Sequence, residues 1–291
     1  MRALLLCILF AGGAGAVYLT QHAGHQPGVS PAPLMGMLAD AQRAAARVPS
    51  GMSRPPDADE IALGRQLTRL RPTAATTARA HYVSRVGAAV AAGAHRHLPY
   101  AFYVIDDDAF VNAYALPGGS VFIGSGLLDM MQTEDELAAI LAHEVEHIDH
   151  YHCIDRYTQA RAAGRLPVIG ALVQLPLWLF EAGYEKSQEL EADADGTRLA
   201  ARAGYAPLAA VRLLRELDRC RVAARAPRSG SPVDELVSVP MAAVEIYFES
   251  HPPGDERIAR IEAVVRADGL DAARTPRPLS LPARTAEPAA P

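Results

Sequence analysis

The segment LAAILAHEVEHIDHYH, residues 137–152, carries four histidines and two glutamates in a run that otherwise has the apolar spacing of a buried helix. Burying an unpaired imidazole or carboxylate costs free energy, so these side chains need partners that offset the cost. His143 and His147 are four residues apart, which on a helix places both imidazoles on one face, where they can bind one ion. With Glu144 they form H-E-x-x-H, the pattern in which two histidines bind zinc and the glutamate is the general base.

A catalytic zinc of this kind takes a third protein ligand and keeps one position for water. The segment EKSQELEADADG, residues 185–196, offers carboxylates on a helical pattern further along the chain. Two of them compete for the role: Glu189 is followed one turn later by Asp193, and Glu191 stands in the same relation to Asp195. Spacing alone does not distinguish between Glu189 and Glu191.

Other elements must bring these two segments together. Apolar positions at helical spacing predict helices, whereas short aromatic or β-branched runs separated by DDDA and PGG predict a small antiparallel sheet. Thr133 and Glu136 have the spacing of a capping box at the start of the histidine-bearing helix. The order of helices, sheet and helices predicts an α+β fold. Helices are expected at 57–71, 77–95, 133–152 and onward to about 268, and strands at 100–106, 110–116 and 120–126.

Four segments together resemble one known family. They are EIALGRQL (60–67), FVNAYALPGGSVFIGSGLLDMMQTEDELAAILAHEVEHIDHYH (110–152), SQELEADADGTRLAARAGY (187–205) and HPPGDERIARIE (251–262). In content and order they are similar to the HtpX-like and CAAX-prenyl-protease-like zinc metallopeptidases, which include membrane-bound and periplasmic quality-control proteases. The resemblance implies a mostly helical, gluzincin-like zinc metalloprotease with the sheet beside the H-E-x-x-H helix.

The resemblance also implies roles that spacing leaves open. Glu189 aligns with the third zinc ligand, because ELEADADG matches the family's ELEADRLG pattern, and Asp193 aligns with the acid that orients a ligating histidine. His251 is implied to lie near the cleft, either contacting the scissile carbonyl oxygen or at the open zinc position. His152 fits a position that is commonly histidine in the family, and His150 is expected to be exposed.

Two features depart from the family pattern. Glu146 fills a position that is more often small and apolar, and EKSQ replaces the usual Ser-Arg pair ahead of the ligand glutamate. Both lie beside the expected ligands, so we expect them to affect substrate choice and the properties of the site more than metal binding.

The ends of the chain predict export and a tether. The chain begins with Met1, Arg2 and an apolar run to Leu19, which is typical of an export signal that is either cleaved or kept as a membrane anchor. The charge distribution predicts that the rest of the chain lies outside the cytoplasm, in the periplasm or on the periplasmic face of the inner membrane. The predicted organisation is a signal peptide or anchor (1–20), a linker (21–33), a zinc metallopeptidase domain (34–270) and a disordered Pro/Ala-rich tail (271–291). In an oxidising compartment Cys153 and Cys220 could form a disulfide.

The apolar stretch RLPVIGALVQLPLWLFEAG, residues 165–183, could be mistaken for a second membrane span. It is shorter than the about 20 residues that a crossing helix needs, and Pro167 and Pro176 interrupt it. A single crossing would also separate His147 from Glu189. We therefore expect it to form a helical hairpin or lid beside the cleft, to dip into the outer leaflet, or to pack as a buried core helix.

These features predict a metalloendopeptidase with one Zn²⁺ per chain that hydrolyses unfolded or misassembled envelope proteins. The net charge is −5 and Lys186 is the only lysine, so no basic surface for nucleic acid is expected. A non-catalytic, chaperone-like envelope assembly factor is an alternative, and the intact Glu144 argues against it. A zinc hydrolase of non-peptide amides is another, although the strands before the metal helix are suited to pairing with an extended peptide.

Overall fold

The structure is a computed structural model, and it describes residues 54–70, 77–162, 168–169, 172–173, 183–225, 247, 251 and 254–282. The predicted signal peptide or anchor and the linker lie outside the described residues. In chain order the elements are α1 (Asp57–Thr68), α2 (Ala78–Ala91), β1 (Ala101–Ile105), β2 (Ala113–Leu116), β3 (Ser120–Gly124), α3 (Ser125–Asp129), α4 (Glu134–Asp149), α5 (His152–Ala162), β4 (Val168–Ile169), β5 (Leu172–Val173), α6 (Lys186–Arg202), α7 (Ala209–Arg225) and α8 (Gly254–Ala267).

The three strands that precede the H-E-x-x-H motif form one mixed sheet with the order β1-β3-β2. The middle strand, β3, pairs antiparallel with β2 and parallel with β1. Ala113 lies opposite Ile123, and Ala101 lies opposite Ser120. The described fold is thus mostly helical with a small sheet, as predicted, but the prediction of a purely antiparallel sheet is wrong for β1.

The connection between β1 and β2 explains the parallel pair. Residues 106–112 do not turn back as a hairpin, because they contact the start of α3, where the Gly126 N–H donates to the Asp107 carbonyl. The chain therefore reaches the far side of the sheet before β2 begins. A tight turn then joins β2 to β3 at Gly118 and Gly119, whose φ angles of 81° and 109° lie in the region that favours glycine.

Helix α4 is the central element of the described fold. All of its 16 residues except Ala139 are buried, and it packs against α2, α6, α7 and β2. A helix enclosed on every side is normally apolar all round. Since α4 carries His143, Glu144, Glu146 and His147, its polar side chains must find partners on the surrounding elements.

The start of α4 has the predicted capping box, which is confirmed. Thr133 Oγ1 accepts a hydrogen bond from the Glu136 N–H at 3.2 Å. The Glu136 carboxylate in turn accepts from the N–H groups of Gln132 and Thr133, at 2.7 and 3.3 Å. These bonds satisfy N–H groups that a helix start otherwise leaves without partners.

The end of α4 comes earlier than predicted, at Asp149 rather than 152. Tyr151 has a φ of 63°, which interrupts the helical path before α5 begins. The Asp149 carboxylate accepts hydrogen bonds from the backbone N–H groups of His95 and Arg96, at 2.6 and 2.7 Å. Both ends of α4 are therefore held by side chain to backbone bonds.

Residues 271–282 pack on the start of α4. The Arg277 carbonyl accepts from the Glu134 N–H at 2.9 Å, and the Leu279 N–H donates to the Gln132 carbonyl at 3.1 Å. The predicted disorder of the tail is therefore wrong for this part, because its backbone is paired with the domain. The remainder of the predicted tail lies outside the described residues.

The apolar stretch at 165–183 is described only in part. Its strands β4 and β5 pair antiparallel, so a helical hairpin is wrong for these four residues. The rest of the stretch before Gly183 lies outside the described residues. Within the part of the chain that the structure describes, no helix has both the length and the apolar character needed to cross a membrane.

Candidate metal centre

Helix α4 presents two imidazoles to one point, as the four-residue spacing predicts. The Nε2 atoms of His143 and His147 lie 3.1 Å apart, and the two rings meet edge to face with their centroids 4.7 Å apart. Both side chains are buried. Two ring nitrogens this close can share one ion between them.

Helix α6 brings one carboxylate to this pair. Glu189 Oε2 lies 3.5 Å from His143 Nε2, and Glu189 Oε1 lies 3.4 Å from His147 Nε2. Glu191 instead is half exposed and lies 3.3 Å from His152 Nε2. The structure therefore places Glu189, and not Glu191, against the two histidines.

A glycine allows α6 to approach α4 this closely. A Cβ atom at Gly196 would lie 3.0 Å from the His143 backbone nitrogen, a distance that real side chains avoid. The Gly196 of the ELEADADG segment therefore has a packing role. It fixes which face of α6 meets the histidines.

His251, which the structure describes as a buried residue ahead of α8, joins the same group. Its Nδ1 lies 3.0 Å from Glu189 Oε2, and its Nε2 lies 3.8 Å from Glu144 Oε1. One ligand atom each from His143, His147, Glu189 and His251 lie within 4.8 Å of one another. Of the two expected roles of His251, this geometry favours the position at the metal.

The residues of this group fit a zinc ion. Glu189 Oε1 and Glu144 Oε2 are buried and have no hydrogen-bond partner among the described residues. Buried carboxylate oxygens without partners are costly. A divalent cation beside the two imidazoles would satisfy the Glu189 oxygen, and a water molecule at the cation would satisfy the Glu144 oxygen. Two histidines and one glutamate are also a known ligand set of catalytic zinc.

Asp193 and Arg257 support the group from behind. Asp193 Oδ1 lies 3.1 Å from His143 Nδ1, the position from which a carboxylate orients a ligating imidazole. Arg257 holds Asp193 with two hydrogen bonds, of 2.8 and 2.7 Å, and its Nη1 lies 3.8 Å from Glu189 Oε2. Sequence reasoning missed Arg257. Its position on the apolar face of the HPPGDERIARIE helix could have indicated the role, because a buried arginine needs a carboxylate partner.

His147 is enclosed on its other side. Its Nδ1 lies 2.9 Å from His152 Nδ1. The Tyr184 ring stacks on His147 with centroids 3.9 Å apart, and its hydroxyl lies 3.1 Å from Cys153 Sγ. Cys153 and Cys220 are free thiols, so the disulfide considered between them is not formed. Nothing in the sequence pattern singled out Tyr184.

The electrostatics of the group suit metal binding and proton transfer. Burial lowers the pKa of His147 well below its usual value, which keeps the imidazole neutral. Burial opposes ionisation of Glu189, but the interactions of its carboxylate with His251, His143 and His147 outweigh it and hold the pKa of Glu189 low. Burial raises the pKa of Glu144. His147 and Glu189 are thus in their metal-binding forms and lie beside a carboxylate with increased proton affinity.

His143 differs from its neighbour. Burial and Arg257 lower its pKa, but hydrogen bonds to Asp193 and Glu189 outweigh both and raise the pKa of His143 to about 9. A metal ion would displace the proton from Nε2, while Asp193 keeps the proton on Nδ1.

Two histidines on one helix, a glutamate on a second and an adjacent free glutamate define the class of zinc-dependent hydrolases with an H-E-x-x-H helix. Residues 77–265 match Peptidase family M48. The chain belongs to this family, which confirms the resemblance drawn from its motifs.

Several named proteins are similar to this chain. The mitochondrial metalloendopeptidase OMA1 of Schizosaccharomyces pombe is 30% identical over 191 residues, which cover 62% of this chain and 51% of that protein. The β-barrel assembly-enhancing protease of Yersinia pestis is 27% identical over 193 residues, covering 58% and 40%. A protease HtpX homolog of Thermodesulfovibrio yellowstonii is 25% identical over 201 residues, covering 56% and 68%. The chain thus spans about half the length of the first of these relatives and less of the second.

Proposed function

We propose that this protein is a zinc-dependent metalloendopeptidase of the gluzincin type. The observation that carries the proposal is the buried group in which His143, His147 and Glu189 converge while Glu144 lies beside them. Membership of Peptidase family M48 supports it, as do the names of the similar proteins, which are called metalloendopeptidase or protease.

In this proposal His143, His147 and Glu189 hold the zinc ion. When bound, zinc supplies Lewis acidity, which acidifies water and polarises a substrate carbonyl. Glu144 accepts the proton of the attacking water and passes it to the leaving amine. Its burial favours this role, because a carboxylate with a raised pKa is a better proton acceptor. Asp193 orients His143 and is a positioning residue.

The substrate is proposed to be an extended polypeptide. β2 is an edge strand, and its Ala113 and Ala115 carbonyls face away from β3 towards His251 and Cys153, at 3.5 and 3.6 Å. A peptide that pairs with this edge would run past Glu144. This edge is buried, so His251 and Cys153 would both have to move when a peptide pairs at Ala113 and Ala115.

We further propose that the protein acts outside the cytoplasm on unfolded or misassembled envelope proteins. Residues 1–20 have the character of a signal peptide or anchor, and the domain is proposed to face the periplasm. One similar protein is named for enhancing β-barrel assembly, which is consistent with a quality-control role.

The test uses the purified full chain with unfolded casein as the substrate, with and without a chelator. Glu144→Gln should keep zinc and the fold but lose hydrolysis by about 10²-fold or more, because it removes the base and leaves the ligands. Glu262→Gln, at a partly exposed position on α8, is the matched control and should cleave like the wild type.

Wild-type hydrolysis by Glu144→Gln would refute the mechanism. A zinc-loaded wild type without any hydrolysis would instead favour the non-catalytic assembly factor.

A further inference from the structure

A second cluster of metal-ligating side chains lies where the end of α4 meets α6. Glu146 and His150 lie four residues apart at the end of α4, and Asp195 lies on α6. His150 Nε2 is 2.9 Å from Asp195 Oδ2 and 3.4 Å from Glu146 Oε2. Among the described residues this is one of two groups whose ligand atoms lie close enough to share an ion, the other being the candidate metal centre.

Glu146 is the feature that sets this cluster apart from a surface ion pair. Its side chain is 1% exposed, and its Oε1 has no hydrogen-bond partner within the part of the chain that the structure describes. A buried carboxylate in this condition is costly unless it takes up a proton, is paired or binds a metal. Its other oxygen points at His150, so the side chain is directed into the cluster.

The remaining two side chains are held in positions suited to ligands. Arg198 Nη1 donates to Asp195 Oδ1 at 2.7 Å, which leaves Oδ2 directed at His150. On the other side of the imidazole, Glu191 Oε1 lies 3.8 Å from His150 Nδ1. At this distance Glu191 adds negative charge beside the imidazole but makes no hydrogen bond to it.

The location also favours a cation. His150 is the C-cap residue of α4, and the C-terminal end of a helix carries a partial negative charge. The side chains of His150 and Asp195 are 28% and 32% exposed, so an ion can enter from solvent and complete its coordination with water.

We propose that Glu146, His150 and Asp195 bind a second divalent transition-metal ion, separate from the candidate metal centre. One imidazole and two carboxylates suit Zn²⁺ and similar first-row cations better than Ca²⁺ or Mg²⁺, which prefer oxygen alone. The ion joins the end of α4 to α6, the two helices that carry His143, His147 and Glu189. Its role is to hold these helices together, and it goes beyond the proposed peptidase activity without depending on it.

The test counts zinc on the full chain. The protein is stripped with a chelator, equilibrated with excess Zn²⁺, freed of unbound metal and measured by atomic emission. Wild type should hold two ions per chain, whereas Asp195→Asn and His150→Gln, which remove ligands on different helices, should hold one. Asp268→Asn is the matched control and should hold two, because Asp268 also pairs with Arg198 but lies outside the cluster.

Melting curves accompany each count, and Zn²⁺ beyond one equivalent should raise the melting temperature of the wild type and of Asp268→Asn only. A wild type with a single ion, or two ions retained by both Asp195→Asn and His150→Gln, would overturn the proposal. If Asp195→Asn does not fold, the zinc count of His150→Gln tests the proposal, because His150 lies at a partly exposed helix end and its substitution should leave the fold intact. Casein hydrolysis measured on the same samples separates the two proposals, since a one-ion wild type that cleaves casein refutes only the second site.

Discussion

Arg257 supports the candidate metal centre, although it touches no substrate in our proposal. It is buried, and it binds both oxygens of Asp193, the carboxylate beside His143 Nδ1. It also places a positive charge 3.8 Å from Glu189. Without Arg257, Asp193 would be a buried carboxylate with one partner fewer.

We predict that Arg257→Gln lowers zinc affinity by about 10- to 100-fold. It should also lower the free energy of unfolding by about 3 kcal/mol, because it breaks one side of a buried ion pair. Arg260→Gln, three residues along the same helix and exposed, is the control and should change neither. Competition with a chromogenic chelator measures affinity, and unchanged affinity in Arg257→Gln would contradict the positioning role.

A second prediction concerns the two carboxylates that spacing could not separate. Relative to wild type, Glu189→Ala should lose one zinc ion per chain, because Glu189 lies against both histidines. Glu191→Ala should lose none, because Glu191 is half exposed and contacts His152. Metal analysis of both variants checks this, and the reverse result would show that α6 meets α4 through a different face.

At the scale of elements, the start of α4 is held by contacts from several other elements. Its first turn carries three acidic residues, which suit the positive end of the helix dipole. Glu134 accepts hydrogen bonds from Tyr82 and Arg85, both at 2.7 Å. Asp135 accepts from the Ala206 N–H at 2.6 Å, and Glu136 pairs with Arg212. These anchors fix the helix that carries the H-E-x-x-H motif.

We predict that Glu134→Gln lowers the free energy of unfolding by about 1 kcal/mol at pH 7. Burial alone would raise the pKa of Glu134, but hydrogen bonds from Arg85 and Tyr82 lower it overall. A lowered folded-state pKa stabilises the protein above the unfolded value and loses that effect as the pH falls through the folded value. The difference between wild type and variant should therefore shrink below about pH 4.

Urea unfolding at pH 7 and pH 3.5 measures this difference. Glu256→Gln, whose side chain is largely exposed and pairs only with the exposed Lys186 among described residues, is the control and should match wild type at both values. A Glu134→Gln deficit that is the same at pH 3.5 as at pH 7 would mean that the carboxylate charge is not responsible.

At the scale of the whole molecule, the C-terminal residues 271–282 close the fold over its central helix. Leu279 and Leu281 pack against the main core. The Arg277 N–H donates to the buried Asp135 at 2.6 Å, and Arg79 Nε donates to the Pro282 carbonyl at 3.1 Å. The segment therefore contacts both α2 and the start of α4.

We predict that a chain ending at residue 270 is less stable than the full chain by about 2 kcal/mol or more, because it exposes apolar side chains and leaves Asp135 with one partner fewer. For a domain of this size that corresponds to a fall in melting temperature of about 4–8 °C. A chain ending at residue 282 is the control and should melt like the full chain. Equal melting of all three would mean that the segment does not stabilise the domain.

The features that the sequence determined by itself are those that lie within a single helix or turn. The spacing of His143 and His147 puts both imidazoles on one face wherever the helix lies, and the Thr133–Glu136 capping box needs only the first turn of α4. Such features follow from the 3.6-residue repeat and from turn chemistry, so they do not depend on distant contacts. The motif order was also sufficient to identify the family.

The features that only the tertiary structure decided are contacts between different helices and strands. Glu189 and Glu191 are equivalent by spacing, and the close packing at Gly196 turned Glu189 towards the histidines. Likewise, contacts between residues 106–112 and α3 made β1 parallel to β3, and Arg257 became a support of the centre because α8 packs against α6. Each of these outcomes depends on which faces of two distant elements meet, and that is set by the packing of the whole core rather than by any local pattern.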